Sequence, residues 1–273
     1  MDAFPQSPAM TPNQHKSIQK FIQNISRLIS DESLRSTTDV TFVVSSGADS
    51  QEFFAHRAIL IVQSPVFARL LDDSMPWKES KTRRIEINDT SPEAFDVFLK
   101  FVYSACVGWG TSVELLVEAA EIAHRYQVFG MGLCVAEGIY ARLSKQNVLS
   151  CVELSVANQC IIEQCAKFVV DNWTDMFSKM KDMKWDDLYH LAKFMKMPKA
   201  DREIDKFCLL KNWLDCHGKP DEDVVLDDVI NLRTIRDNRP KDISKIIEPS
   251  GLFSKDALIE VYRDAFHSFF RIT

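Results

Sequence analysis

The stretch "FFAHRAILIVQSPVFARLLDD", Phe53 to Asp73, decides the fold. It sets His56 and Arg57 ahead of an apolar run and then breaks that run at Ser64-Pro65. The residue before a proline is driven out of the helical region, whereas proline fits the first helical position and serine caps it well. The spacing therefore predicts one helix from about Arg57 to Val62 and a second from Pro65, capped by Ser64. Upstream, "DVTFVV" from Asp39 is rich in β-branched residues, "SSGADS" is turn-forming, and "QEFFAH" resumes an extended pattern, which makes a hairpin. Downstream, "RRIEIND" reads as a third short strand. In "DTSPEAFDVFLKFVYS", Ser91 is the N-cap, Pro92 the first helical residue and Glu93 an acid in the first turn, with Phe95, Phe98, Leu99 and Val102 as the buried face.

Ahead of the hairpin, Ile18, Phe21, Ile22, Ile25, Leu28 and Ile29 recur at helical intervals among polar residues, an amphipathic helix with one apolar stripe to hide. Residues 1–13, rich in proline and without the basic start and apolar block of a signal peptide, read as a disordered leader. Thr111 and Glu114 have capping-box spacing before "LLVEAAEIAHRYQ". Beyond that point strands vanish. "LCVAEGIYARL", "NVLSCVELSVAN", "IIEQCAKFVVDNW", "WDDLYHLAKFM" and "DREIDKFCLLKNWLDCH" are all of helical period, the last ending at a C-cap candidate, Gly218, and Ser254 caps a final helix. The chain thus divides into a mixed α+β module over residues 14–140 and an all-helical module over residues 141–273.

Composition narrows the function. A formal charge of -6 opposes a nucleic-acid role, and the one dense basic run, "KTRR", reads as a solvated start to the third strand. No apolar run is long enough for a membrane span. The expectation is a cytoplasmic or nuclear protein. Seven scattered cysteines, without a CxxC pair or zinc spacing, suggest reduced, buried thiols and no metal. No cofactor is expected, since eight glycines include no phosphate-cradling motif. The acidic run Asp221 to Asp223, with Asp227 and Asp228, lacks the pattern of a calcium loop and reads as a solvated connection. His56 has no nucleophile beside it, so it reads as a satisfied structural residue and not a general base, and His124, His190, His217 and His267 sit singly on helices. The chain is expected not to be an enzyme.

Taken together, "DVTFVV", "FAHRAIL" with "SPVFARLL", "WKES", "IEIND" and "FLKFVYS" resemble the BTB domain, also called POZ. "NVLSCVELSVAN", "CAKFVVDNW" and "EIDKFCLLKNWL" resemble the BACK domain, and the tail from Ile230 is similar to that of BTB/BACK proteins carrying discoidin-like domains downstream. The resemblance implies an α+β BTB/POZ fold followed by an all-α BACK helical bundle. It also implies structural roles for Asp39, His56 and Arg57. The helix carrying Ile18, Phe21, Ile22, Ile25, Leu28 and Ile29 would pack on a second copy, giving a homodimer. In "SMPWKES", Trp77-Lys78-Glu79 fits the hydrophobic-any-glutamate pattern of cullin-3 recruiters, with Met75 and Tyr103 bordering the same surface. The implied partners are therefore a second copy, cullin-3 and an unknown protein substrate, with no nucleic acid and no membrane. The function implied is a substrate-recruiting adaptor of a cullin-3 RING ubiquitin ligase. The alternatives are a non-ligase scaffold or co-regulator, or a short regulatory partner of longer BTB-BACK proteins. Exposure of Trp77 is the discriminating feature.

Overall fold

The computed structural model describes residues 11–47, 49–108, 110–155, 157–220 and 224–270, with backbone alone at Asp49 and over 264–270. The chain forms two compact units, Met1–Gly138 and Ile139–Thr273.

The first unit opens with α1, Pro12–Ser30, which starts earlier than its apolar stripe suggests. Thr11 and Gln14 form a reciprocal capping box with Pro12 at the first helical position, so residues 11–13, expected in the leader, belong to the helix start. The rest of that leader, residues 1–10, lies outside the described residues. After a 3-10 turn, Glu32–Thr37, strands β1 (Val40–Ser46) and β2 (Asp49–Ala55) form an antiparallel hairpin with Val40 opposite Ala55. Helices α2 (Arg57–Gln63) and α3 (Pro65–Leu70) follow as the Ser-Pro break requires, Ser64 Oγ accepting from Phe67 N at 3.0 Å. A short helix, α4 (Lys78–Thr82), occupies part of the expected loop and takes up Lys81 and Thr82 of the expected basic strand start. Strand β3 (Arg84–Ile87) then pairs parallel to β1, giving the sheet order β2-β1-β3.

Helix α5 (Pro92–Ser104) is capped by Ser91 and buries Phe95, Phe98, Leu99 and Val102 as the periodicity predicts. Helix α6 (Val113–Arg125) corrects the Thr111 capping box. Ser112 is the N-cap, accepting from Leu115 N at 3.3 Å, and Glu114 lies in the first turn, where the helix dipole favours a carboxylate. Helix α7 (Met131–Ile139) reaches the boundary between the units. An aromatic core holds the first unit together. Phe42 lies 5.0 Å from Phe95 and 5.5 Å from Phe67 between ring centroids, and Phe67 stacks on Tyr126 at 4.6 Å.

In the second unit every described regular element is helical: α8 (Val148–Leu154), α9 (Gln159–Asp171), α10 (Trp173–Met176), α11 (Trp185–Phe194), α12 (Ala200–His217), α13 (Leu232–Asn238), α14 (Pro240–Asp242) and α15 (Lys255–Phe270), with short 3-10 and π turns between them. Gly218 ends α12 at φ 81°, and Ser254 caps α15 through Ala257 N at 3.1 Å. The acidic run Asp221 to Asp223 lies outside the described residues.

Candidate interaction site

His56 ends β2 and caps α2, where its polar atoms find partners inside the first unit. Its backbone N–H donates to the Tyr103 hydroxyl at 2.8 Å, Nδ1 lies 2.9 Å from the same hydroxyl, and Nε2 lies 2.8 Å from Thr37 Oγ1. Thr37 already donates its proton to Leu34 O, so its oxygen accepts from Nε2–H of the imidazole. Nδ1 is then the acceptor for the Tyr103 hydroxyl. One neutral tautomer satisfies the ring, and no lone pair is left over for a substrate. Arg57 is also tied into the first unit: its backbone N–H donates to Asp39 Oδ1 at 2.7 Å, its side-chain Nε to Leu71 O at 3.0 Å, and its guanidinium lies 3.5 Å from Asp73. His56 and Arg57 thus join the 3-10 turn, the hairpin and the helical layer.

Tyr103, expected to border an outer surface, is only 4% exposed and spends its hydroxyl on His56. It is a core residue of α5, and burial pushes its phenol up to about 12.

Trp77 lies outside the core. It is 51% exposed, at the N-cap of α4, with Glu79 half-buried two residues on. The bend that presents it is fixed from beneath, for the buried Ser80 hydroxyl shares its one proton between Met75 O at 2.9 Å and Trp77 O at 2.8 Å. Met75 is half-buried in that bend. An aromatic side chain held by a rigid backbone at a surface loses little freedom when a partner covers it.

On α1 the six stripe residues face a different condition from every other long helix of the first unit: α1 buries none of its residues. Ile18 and Phe21 are exposed, Phe21 at 64%, while Ile22, Ile25, Leu28 and Ile29 are half-covered beside α5. A further exposed aromatic had no signal in the sequence. Phe129, between α6 and α7, is 88% exposed amid residues whose neighbours Val128 and Met131 are buried.

The second unit holds a buried ion pair, Glu203 with Lys206 at 2.9 Å, both 2% exposed. Lys206 Nζ also donates to Met195 O at 3.0 Å and Val229 O at 2.8 Å, and Glu203 accepts from Asn231 N at 2.7 Å. The pair lies along a cleft of about 610 Å³ whose rim mixes Lys193, Lys196 and Arg233 with Asp228 and Glu260. Desolvation holds the Lys206 ammonium below the usual lysine range. Two other histidines pack on aromatic rings: His217 stacks on Trp213 at 4.4 Å and His190 meets Phe194 edge-on, while His124 is exposed on α6 and the His267 side chain lies outside the described residues. Cys151 and Cys165 are buried, but Cys106 and Cys216 are exposed, so the expectation of uniformly buried thiols is corrected. Among the described residues no cluster of three metal-ligating side chains occurs, and no helix is long and apolar enough to cross a membrane.

Residues 30–131 match the BTB/POZ domain family, so the chain carries a BTB/POZ domain, a protein-protein interaction module. BTB/POZ domain-containing protein 9 of Homo sapiens is 27% identical over 231 residues, covering 82% of this chain and 36% of the relative. BTB and MATH domain-containing protein 40 of Caenorhabditis elegans is 26% identical over 138 residues, covering 50% of this chain and 34% of the relative. The chain thus spans about a third of the length of these curated relatives. Among solved structures, the BTB domain of zebrafish PATZ1 matches at 20% identity and TM-score 0.34, over 50% of this chain and 99% of that one.

Proposed function

We propose that this chain is a dimeric, substrate-recruiting adaptor of a cullin-3 RING ubiquitin ligase, acting in the cytoplasm or nucleus. The observation that carries the reading is Trp77, half-exposed on a fixed bend two residues ahead of Glu79. A latch on the core would be buried, whereas an indole in solvent beside a carboxylate has the composition of an interface hot spot. The stripe of α1, unburied within the protomer, supports self-association about a two-fold axis. In this reading the helical unit from Ile139 is a BACK domain of the kind found in proteins with discoidin-like domains, and it sets the spacing between cullin and substrate. The adaptor makes no covalent bond itself. It raises the local concentration of a target lysine near the charged conjugating enzyme, and the dimer adds avidity.

Calorimetry with the N-terminal half of cullin-3 tests this directly, with Trp77→Ala and Glu79→Ala beside the native chain. Loss of a hot spot costs about 2 kcal/mol, or roughly thirtyfold in affinity. Binding by the native chain that weakens in both variants, while they remain folded dimers, supports the adaptor. A native chain that does not bind moves the reading to a non-ligase scaffold or co-regulator.

A further inference from the structure

Arg83 holds its backbone at φ 52° and ψ 27°, the left-handed region that glycine enters freely and a side-chain-bearing residue enters at a conformational cost. Its backbone does nothing that glycine could not do: its N–H closes α4 on Glu79 O at 2.8 Å, and its carbonyl accepts from Thr41 N at 2.9 Å where β3 joins β1. What glycine lacks is the guanidinium. That group lies 3.7 Å from Asp73 and 3.6 Å from Asp39. Asp73 begins the segment of which Arg83 is the end, and Trp77 and Glu79 lie between them. Arg57 flanks the same two acids, bonding Asp39 through its N–H and facing Asp73 at 3.5 Å, so two arginines and two aspartates alternate in charge.

We infer that Arg83 is a positioning residue: its guanidinium clasps Asp73 and Asp39, closes the loop of residues 73–83 across its two ends, and so holds Trp77 and Glu79 in the geometry a partner protein meets. This rests on the reading of Trp77 and Glu79 as a docking surface. The contacts are ion pairs at separations beyond hydrogen-bonding range and partly in solvent, so their individual contribution to global stability is small. Their effect is local, on how often the loop opens.

The test compares Arg83→Gly, Arg83→Lys and Asp73→Asn in the full chain by amide hydrogen exchange, thermal unfolding and affinity for the N-terminal half of cullin-3. Arg83→Gly relieves the backbone and is expected to melt at or above the native temperature, while exchange over residues 74–82 accelerates about tenfold and exchange in α5 is unchanged. Asp73→Asn opens the loop similarly with the residue-83 backbone untouched, and Arg83→Lys restores part of the protection. Cullin affinity falls in step with protection. Unchanged exchange over 74–82 in both Arg83→Gly and Asp73→Asn overturns the clasp whatever cullin does, and a loosened loop with undiminished affinity overturns its positioning role. If the native chain fails to bind cullin-3, it is the adaptor reading that falls, and the exchange data alone decide on the clasp.

Discussion

Helices α1 and α12 are of nearly equal length, 19 and 18 residues, and they use their surfaces in opposite ways. The first has a clean apolar stripe and buries nothing. The second has charges scattered along it, yet buries eight residues, Glu203 and Lys206 among them. Periodicity measures what a helix has to offer, whereas burial depends on what surrounds it. A stripe left exposed at Ile18 and Phe21 and only half-covered beyond them keeps apolar surface to offer outside its own unit. Charges taken into a core point inward, to the groups that satisfy them.

The largest effect expected from breaking this contrast is on α12. The Lys206 ammonium has three N–H donors, and three acceptors meet them: Glu203, Met195 O and Val229 O. Lys206→Met strands a buried carboxylate and two carbonyls, and should cost about 3–5 kcal/mol in urea unfolding. Adding Glu203→Leu should recover a substantial part, because a packed apolar pair needs no partners. A single-variant cost under about 1 kcal/mol would show that the charges are not confined as described. The proton linkage has a definite sign. Burial, the largest influence, lowers the folded-state value of Lys206, so just below the ordinary lysine value near 10.5 the unfolded chain holds more protons than the folded one. This group's contribution is thus present above that value and is lost as pH falls through the folded value, and Lys206→Met should remove its share of the slope.

The opposite pattern is expected of α1. Phe21→Asp changes a residue already 64% exposed, so the protomer's own stability should move by no more than about 0.5 kcal/mol. Its effect should appear in self-association. A phenylalanine buried on each side of a two-fold interface contributes about 1.5 kcal/mol or more, and losing it twice weakens the dimer roughly a hundredfold. Sedimentation equilibrium reads this directly. A variant that dimerises as the native chain does would mean that the α1 stripe is covered by something other than a second copy.

The same two helices mark what could be read in the sequence. Local chemistry was legible wherever one residue type determines a backbone state. Ser64-Pro65 and Ser91-Pro92 begin helices where the sequence demands it, and the β-branched run at Val40 pairs across a turn to Ala55. Adjacent hydroxyls at Thr111 and Ser112 are too alike for spacing to choose between them, and the cap falls on the second. Glu203 and Lys206 look in "DREIDKFCLLKNWL" like solvated charges, because the atoms that hold them come from chain connections at Met195, Val229 and Asn231. Exposure failed for the same reason. Nothing in "YQVFGM" distinguishes Phe129, out in solvent, from Val128 and Met131, buried on either side of it. The sequence singled out Trp77 as the residue whose exposure matters, and only the packing beneath it gives the answer.

Helix α5 stands between the two extremes, almost wholly apolar on its buried side but ending in a buried hydroxyl, and the summed effect of its perturbation on folding and association should be the smallest. Tyr103→Phe keeps the ring and removes the oxygen that accepts from His56 N and donates to its Nδ1. The cost should be about 1–2 kcal/mol, less than for Lys206 because no charge is stranded. The pH dependence has the opposite sign to that of the lysine. Burial raises the Tyr103 phenol to about 12, while an unfolded tyrosine ionises near 10. Between those values the unfolded chain holds fewer protons, so this contribution is complete below pH 10 and is lost as pH rises toward 12. Tyr126 is raised by burial in the same direction, so Tyr103→Phe should reduce the alkaline loss of stability without abolishing it. An alkaline unfolding profile identical to that of the native chain would mean that the hydroxyl is open to water, and that α5 ends in a surface residue as α1 does.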